Sequence, residues 1–113
     1  MVVLTNVGTT YDATTASRGL GIATLDFTGV TQLVFRVRVN KVGTGVQSWQ
    51  LWNETDLTEI ALLTDAGAAG VKTLKTTVSV ALVGVKDVCV RVRSTVGSDD
   101  PVYLGAAYLL VVP

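Results

Sequence analysis

The sequence predicts an all-β chain: an antiparallel β-sandwich, jelly-roll-like, of about eight strands. Three observations carry this. By count, 21 valines and 16 threonines make up about a third of the 113 residues. Both are β-branched, restricted at the first side-chain torsion and enriched in strands. Apolar residues recur with period two rather than at helical spacing. Glycine, asparagine and aspartate signals interrupt these runs at regular intervals. No helical crossover is visible, which excludes a parallel sheet.

Taken in order, residues 1–18 are rich in Thr and Gly and poorly periodic, and are expected to form an N-terminal arm or an edge strand that pairs on assembly. Residues 19–113 are expected to form the sandwich domain. Gly19-Leu20-Gly21 lacks the third glycine and the helix of a dinucleotide fingerprint, Thr24 standing in its place, and reads as a turn before a strand. Leu33, Phe35, Val37 and Val39 then alternate with Val34, Arg36, Arg38 and Asn40, giving one core face and one solvent face. Trp49 and Leu51 oppose Ser48, Gln50 and Trp52, so parity places Trp49 in the core and Trp52 outside. Ile60 and Leu62 continue the inward pattern, as do Val78, Val80 and Leu82. Asp65 to Gly70 is a short helical turn or a plain loop. Val88, Val90 and Val92 alternate with Cys89, Arg91 and Arg93. The last strand, Val102 to Val112, is apolar on both faces. Leu104, Ala106, Tyr108 and Leu110 lie on one, and Tyr103, Gly105, Ala107, Leu109 and Val111 on the other. Such a strand sits between packed layers or under a partner chain.

Composition excludes several functions. Apolar residues make up 49% and charged residues 16%, which is not the profile of a disordered chain. Nine basic and nine acidic residues cancel, a poor basis for binding nucleic acid through bulk charge. The chain has no histidine, which removes the Ser-His-Asp triad, the Cys-His dyad and every histidine metal ligand. Cys89 is the only cysteine, so no internal disulfide forms, and it reads as a small buried hydrophobe. Met1 to Asn6 lacks the basic and apolar regions of a secretory signal, so synthesis in a cytoplasm is expected. The longest apolar stretch, 102–113, is too short to span a bilayer as a helix, and no membrane partner is expected.

Few residues suggest chemistry. Glu54, Asp56, Glu59, Asp65, Asp99 and Asp100 fall in loops, where calcium is one use and solvated turn residues the plainer reading. Asn53-Glu54-Thr55 matches a glycosylation acceptor but also a turn. Arg36 and Arg38 share the outward face of one strand, and Arg91 and Arg93 that of another. If those strands are neighbours, four guanidiniums form one basic stripe facing an acidic partner; otherwise they make ordinary cross-strand pairs. Trp52, exposed, suits an interface or a sugar platform, and the interface is favoured.

The segment Ala23-Thr24-Leu25-Asp26-Phe27-Thr28-Gly29-Val30-Thr31-Gln32, running into Leu33–Val39, resembles the opening of small β-sandwich structural proteins of tailed bacteriophages. The resemblance continues at Asp87-Val88-Cys89-Val90-Arg91-Val92-Arg93 and at Gly97-Ser98-Asp99-Asp100-Pro101 before the final strand. It implies a virion structural protein, made in the host cytoplasm: a capsid decoration (cement) protein or a tail or fibre module, with no catalytic, cofactor-binding or metal-binding residues. The expected partners are copies of itself, a trimer being favoured, and a phage capsid or tail protein. The contact candidates are the outer face of the last strand (Tyr103, Leu109 and Val111), the arm at 1–18, Trp52, and Arg36, Arg38, Arg91 and Arg93. The alternative is a carbohydrate-binding module that recognises a host surface glycan.

Overall fold

The computed structural model describes residues 2–5, 20–41, 45–94 and 102–112. Among these there are eight strands and no helix: β1 (Val2–Thr5), β2 (Leu20–Asp26), β3 (Gln32–Lys41), β4 (Gln47–Asn53), β5 (Thr58–Asp65), β6 (Gly70–Ser79), β7 (Val85–Ser94) and β8 (Val102–Val112). They form two antiparallel sheets, β1-β8-β3-β6 (sheet A) and β2-β7-β4-β5 (sheet B). The first strand pairs with the last, the second with the seventh, the third with the sixth, and the fourth with the fifth. The chain is thus one long hairpin rolled up until β3 meets β8 and β4 meets β7. That is a jelly roll. Val2–Thr5 pairs with the chain's own β8, so this part of the expected arm is an edge strand of the sandwich. The rest of the arm, 6–18, lies outside the described residues.

The core sits between the sheets. Leu33, Phe35, Val37 and Val39 of β3 are completely buried, and Leu109 of β8 joins them from sheet A. Sheet B answers with Leu25 and Phe27, Trp49 and Leu51, Ala61 and Leu63, and Val88 and Val90. Leu74 and Val78 of β6 close one flank, half-buried. The whole indole of Trp49 is inside, and its Nε1 finds no hydrogen-bond acceptor among the described residues.

Turn chemistry sets the register at one end. Asp26 Oδ1 accepts from the Thr28 amide at 3.0 Å, and the Val30 amide donates to the Phe27 carbonyl at 3.0 Å. Gly29 has a φ of 79°, the left-handed position that glycine takes most readily in this kind of turn. Asn53 is fully buried, with its Oδ1 accepting from the Thr55 and Asp56 amides at 3.0 and 3.1 Å. It caps the β4–β5 turn from inside, which removes it as a glycan acceptor.

Two expectations need correction. Leu62 does not face inward, whereas Ile60 is half-buried against the core as expected. The pairing shifts between Leu51 and Trp52, so Leu51 meets Ala61 while Trp52 meets Glu59. One extra residue flips the parity, burying Ala61 and Leu63 and leaving Leu62 43% exposed. Val80 and Leu82 lie beyond the end of β6, in an extended connection that still packs against the core. The segment 66–69 is a plain loop.

The pleat of β3 yields a direct test. Phe35→Ala is expected to cost about 3–5 kcal/mol in equilibrium denaturation, and Thr77→Ala on the outer face less than about 0.5 kcal/mol. Equal losses would contradict the assignment of faces.

Candidate functional site

With the interior filled, the groups free to meet other molecules lie on the outer faces and the two ends. On sheet B, β4 and β7 are neighbours and Trp52 is registered opposite Cys89. Trp52 points outward, as its parity requires, and is half-buried because the Arg91 guanidinium lies over its ring, 4.3 Å from the centroid. A cation in that position is attracted by the ring quadrupole. Gln50 Nε2 donates to Glu59 Oε1 at 2.9 Å, and Thr24 Oγ1 donates to Asp87 Oδ1 at 2.7 Å. Cys89 shares this outward parity yet is completely buried, with its Sγ 3.6 Å from Glu54 Oε1. Burial, then the negative charge of Glu54, pushes the thiol up to about 12. At neutral pH it carries no thiolate and is no nucleophile.

The arginines do not form one stripe. Arg36 and Arg38 belong to β3 in sheet A, whereas Arg91 and Arg93 belong to β7 in sheet B. The sequence pattern showed parity but not sheet membership, and in a rolled hairpin these two strands fall on opposite layers. Arg36 and Arg38 are exposed, and Arg38 Nη1 donates to Thr73 Oγ1 at 3.0 Å. The Arg93 side chain lies outside what is described; its backbone is registered opposite Ser48.

The proposed outer face of the last strand is also corrected. Leu109 is completely buried, and Val111 is half-buried against the core. They are registered opposite Phe35 and Leu33, and Tyr103 opposite Val39, all core positions of β3. Leu109 and Val111 therefore line the core side, where they are lost to any partner; of Tyr103 only the backbone register is described. The sequence showed two apolar faces and offered no means of choosing between them.

A polar clamp that the sequence reading missed ties the sheets together at one end. Asp65, at the end of β5, accepts from the Gly67 amide at 2.8 Å and pairs with Lys72 of β6 at 2.8 Å. Lys72 Nζ also donates to the Ala68 carbonyl at 2.7 Å, and the almost fully buried Lys41 donates to the Gly67 carbonyl. Burial alone would raise the Asp65 carboxyl, but the Lys72 ammonium and the Gly67 amide outweigh it and hold it below its usual value. Only the fold brings 41, 65 and 72 together, so nothing in their spacing could have marked them. At the opposite end Asp56 pairs with Lys86 at 2.8 Å. Its neighbour Leu57 is 67% exposed with a φ of 57°, an uncommon conformation for a leucine. A groove of about 220 Å³ runs between Thr58–Ile60 and Ser79–Leu82. Among the described residues no three His, Cys, Asp or Glu side chains converge to hold a metal ion. Asp99 and Asp100 lie outside the described residues.

Two outcomes follow from these groups. Asp65 has a lowered carboxyl pKa, so its contribution to stability is complete above about 3.8, the ordinary value, and fades as pH falls through the lowered one. Asp65→Asn is expected to cost about 1–3 kcal/mol at pH 7 and to flatten the acid limb of the denaturation midpoint. Cys89 is expected to resist alkylation at about pH 8 in the folded protein and to react once unfolded; rapid labelling of the native state would contradict its burial.

No protein-family model matches the chain, and no curated protein matches it. Two of the solved structures that share its architecture illustrate the likeness. One is the Eiger TNF of S. frugiperda, with a TM-score of 0.58 and 14% identity over 96% of this chain and 86% of that one. The other is the C-terminal domain of EclA, a sugar-binding protein, with a TM-score of 0.51 and 14% identity over 97% of this chain and 81% of that one. At such identity the likeness is one of fold, and it agrees with the all-β, two-sheet architecture derived above.

Proposed function

We propose that this chain is a structural interaction module acting by multivalent protein–protein contacts, as a capsid decoration protein or a tail or fibre module of a phage particle. The observation that carries the reading is where the polar chemistry lies. The interior is filled by side chains, and the buried polar groups Asn53, Asp65 and Lys41 serve turns and inter-sheet clamps. Arg36, Arg38, Lys75 and Glu59 stand exposed on the outer faces, with Trp52 half-exposed beside Arg91. Single outer faces of this size make modest contacts, and repetition on a symmetric lattice turns modest contacts into avidity. The phage context rests on the sequence resemblance. Its Asp-Phe-Thr-Gly stretch is here the capped β2–β3 turn, and its Val/Arg alternations are β3 and β7.

A second reading is glycan binding. The likeness in fold to the EclA sugar-binding domain supports it, as does the pairing of Trp52 with Arg91 on a face that also carries Gln50. Against it, Asn53 is turned inward and Tyr103 belongs to the other sheet, so neither joins Trp52 in a shared platform.

Light scattering behind a sizing column tests the choice. A closed oligomer, a trimer foremost, is expected for the assembly module. A monomer that binds a glycan array, and loses that binding on Trp52→Ala, would replace this reading with the second.

A further inference from the structure

Four strands stand at the edges of the two sheets: β1 and β6 in sheet A, and β2 and β5 in sheet B. An edge strand presents a row of backbone donors and acceptors that a strand of another chain can pair with. Short length, bulges and inward-pointing charges guard an edge against this. β1 is four residues long as far as it is described. The pairing of β2 shifts between Leu20 and Ala23, and that of β5 shifts at Ile60, the extra residue opposite Leu51 and Trp52. β6 differs from all three. It runs for ten residues, Gly70–Ser79, and keeps one register with β3 throughout. It contains no proline, and its one inward charge, Lys72, is held at the start of the strand by Asp65. From 73 to 79 it carries only Thr, Leu, Val and Ser beside Lys75, which is exposed on the outer face. The core is also incompletely covered on this side. Leu74 and Val78 of β6, Ile60 of β5, and Val80 and Leu82 of the connection that follows are only partly buried.

We propose that β6 is an assembly edge, which pairs antiparallel with β6 of a second copy of this chain about a two-fold axis at Thr76. Among the described edges only β6 is open along its length, so the strand that can meet it is another β6. A contact between the same strand on two copies is isologous and closes on itself. The residues of the strand are self-complementary about Thr76. On the inner face Leu74 meets the partner's Val78, and on the outer face Lys75 meets the partner's Thr77. Such cross-strand pairs support a sheet, whereas like charges directly opposite each other destabilise it. An axis one residue earlier would set Lys75 against itself. The pairing joins the A sheets of the two copies into one and covers the half-exposed Leu74 and Val78. It leaves the outer faces of both sheets open to a shell or a tail. This deepens the assembly role proposed above and rests on it. It also narrows that role: a two-fold contact makes a dimer, and accommodates a trimer only as a pair of trimers.

Light scattering on the full chain over a concentration series gives the first arm, and an even-numbered oligomer is expected. Two substitutions at one exposed position give the second. Thr77→Lys sets a second cation opposite the partner's Lys75, twice by symmetry, and is expected to weaken association about tenfold. Thr77→Glu sets a carboxylate there and is expected to tighten it several-fold. Position 77 lies on the outer face, and matching circular dichroism spectra and cooperative melts show that both variants fold. Cysteine pairing reads the register. Thr76→Cys, on the axis, is expected to give a disulfide-linked dimer under mild oxidation at neutral pH. Thr73→Cys, which faces the partner's Ser79, is not. A trimer without a two-fold axis, or an oligomer indifferent to both Thr77 variants, overturns this contact and leaves the assembly role standing. Equal losses with Lys and Glu at position 77, or equal crosslinking at 73 and 76, overturn the pairing about Thr76. A parent that stays monomeric over the whole series overturns the contact and the assembly role together.

Discussion

The strict alternation of side chains along β3 is the constraint on which the other features rest. Leu33, Phe35, Val37 and Val39 are fully buried, while Arg36 and Arg38 between them are exposed. β3 is hydrogen-bonded on both edges, to β8 and to β6, so its pleat fixes which residues of those strands face inward. Leu109 and Val111 are inside because they are registered with Phe35 and Leu33, and Leu74 because it is registered with Val37. A slip of one residue would bring two guanidiniums into the core, a cost no small domain can bear. The same parity that protects the core places every exposed cation of sheet A on its outer surface.

The end turns translate local chemistry into topology. Asp26 and Gly29 build the β2–β3 turn, and Asn53 caps the β4–β5 turn from a buried position. Both rely on side chains that bond the backbone two or three residues on, which is why Asp, Asn and Gly signal turns. At the opposite end the work falls to ionic groups. Lys72, on the edge strand of sheet A, reaches Asp65 on the edge strand of sheet B, and Lys41 reaches the Gly67 carbonyl. Breaking such a partly buried pair exposes the remaining partner to an uncompensated charge.

Charge is spread unevenly over the sandwich. The charged strand residues of sheet A are all cations, whereas sheet B and its β4–β5 turn carry the described carboxylates together with Lys86, Arg91 and Arg93. Opposite charges are joined at the two ends by the pairs Asp65–Lys72 and Asp56–Lys86.

The amino-acid sequence by itself determined the strand class, the parity of β3 and of Trp49 and Trp52, and the positions of the turns. These depend on interactions within a few residues, namely β-branched side chains, period-two patterning and turn bonding. It put Leu109 and Val111 on the outer face of β8, whereas they are inside, because both faces are apolar and only pairing with β3 chooses between them. It misjudged Leu62, because a one-residue shift against β4 changes parity without leaving a mark in composition. It joined the two arginine pairs in one stripe, which tertiary structure divides between layers. The Asp65–Lys72 clamp and the position of Lys41 were decided by the tertiary structure alone. They arise from contacts between residues distant in the chain, and no local pattern encodes which sheet a strand will join.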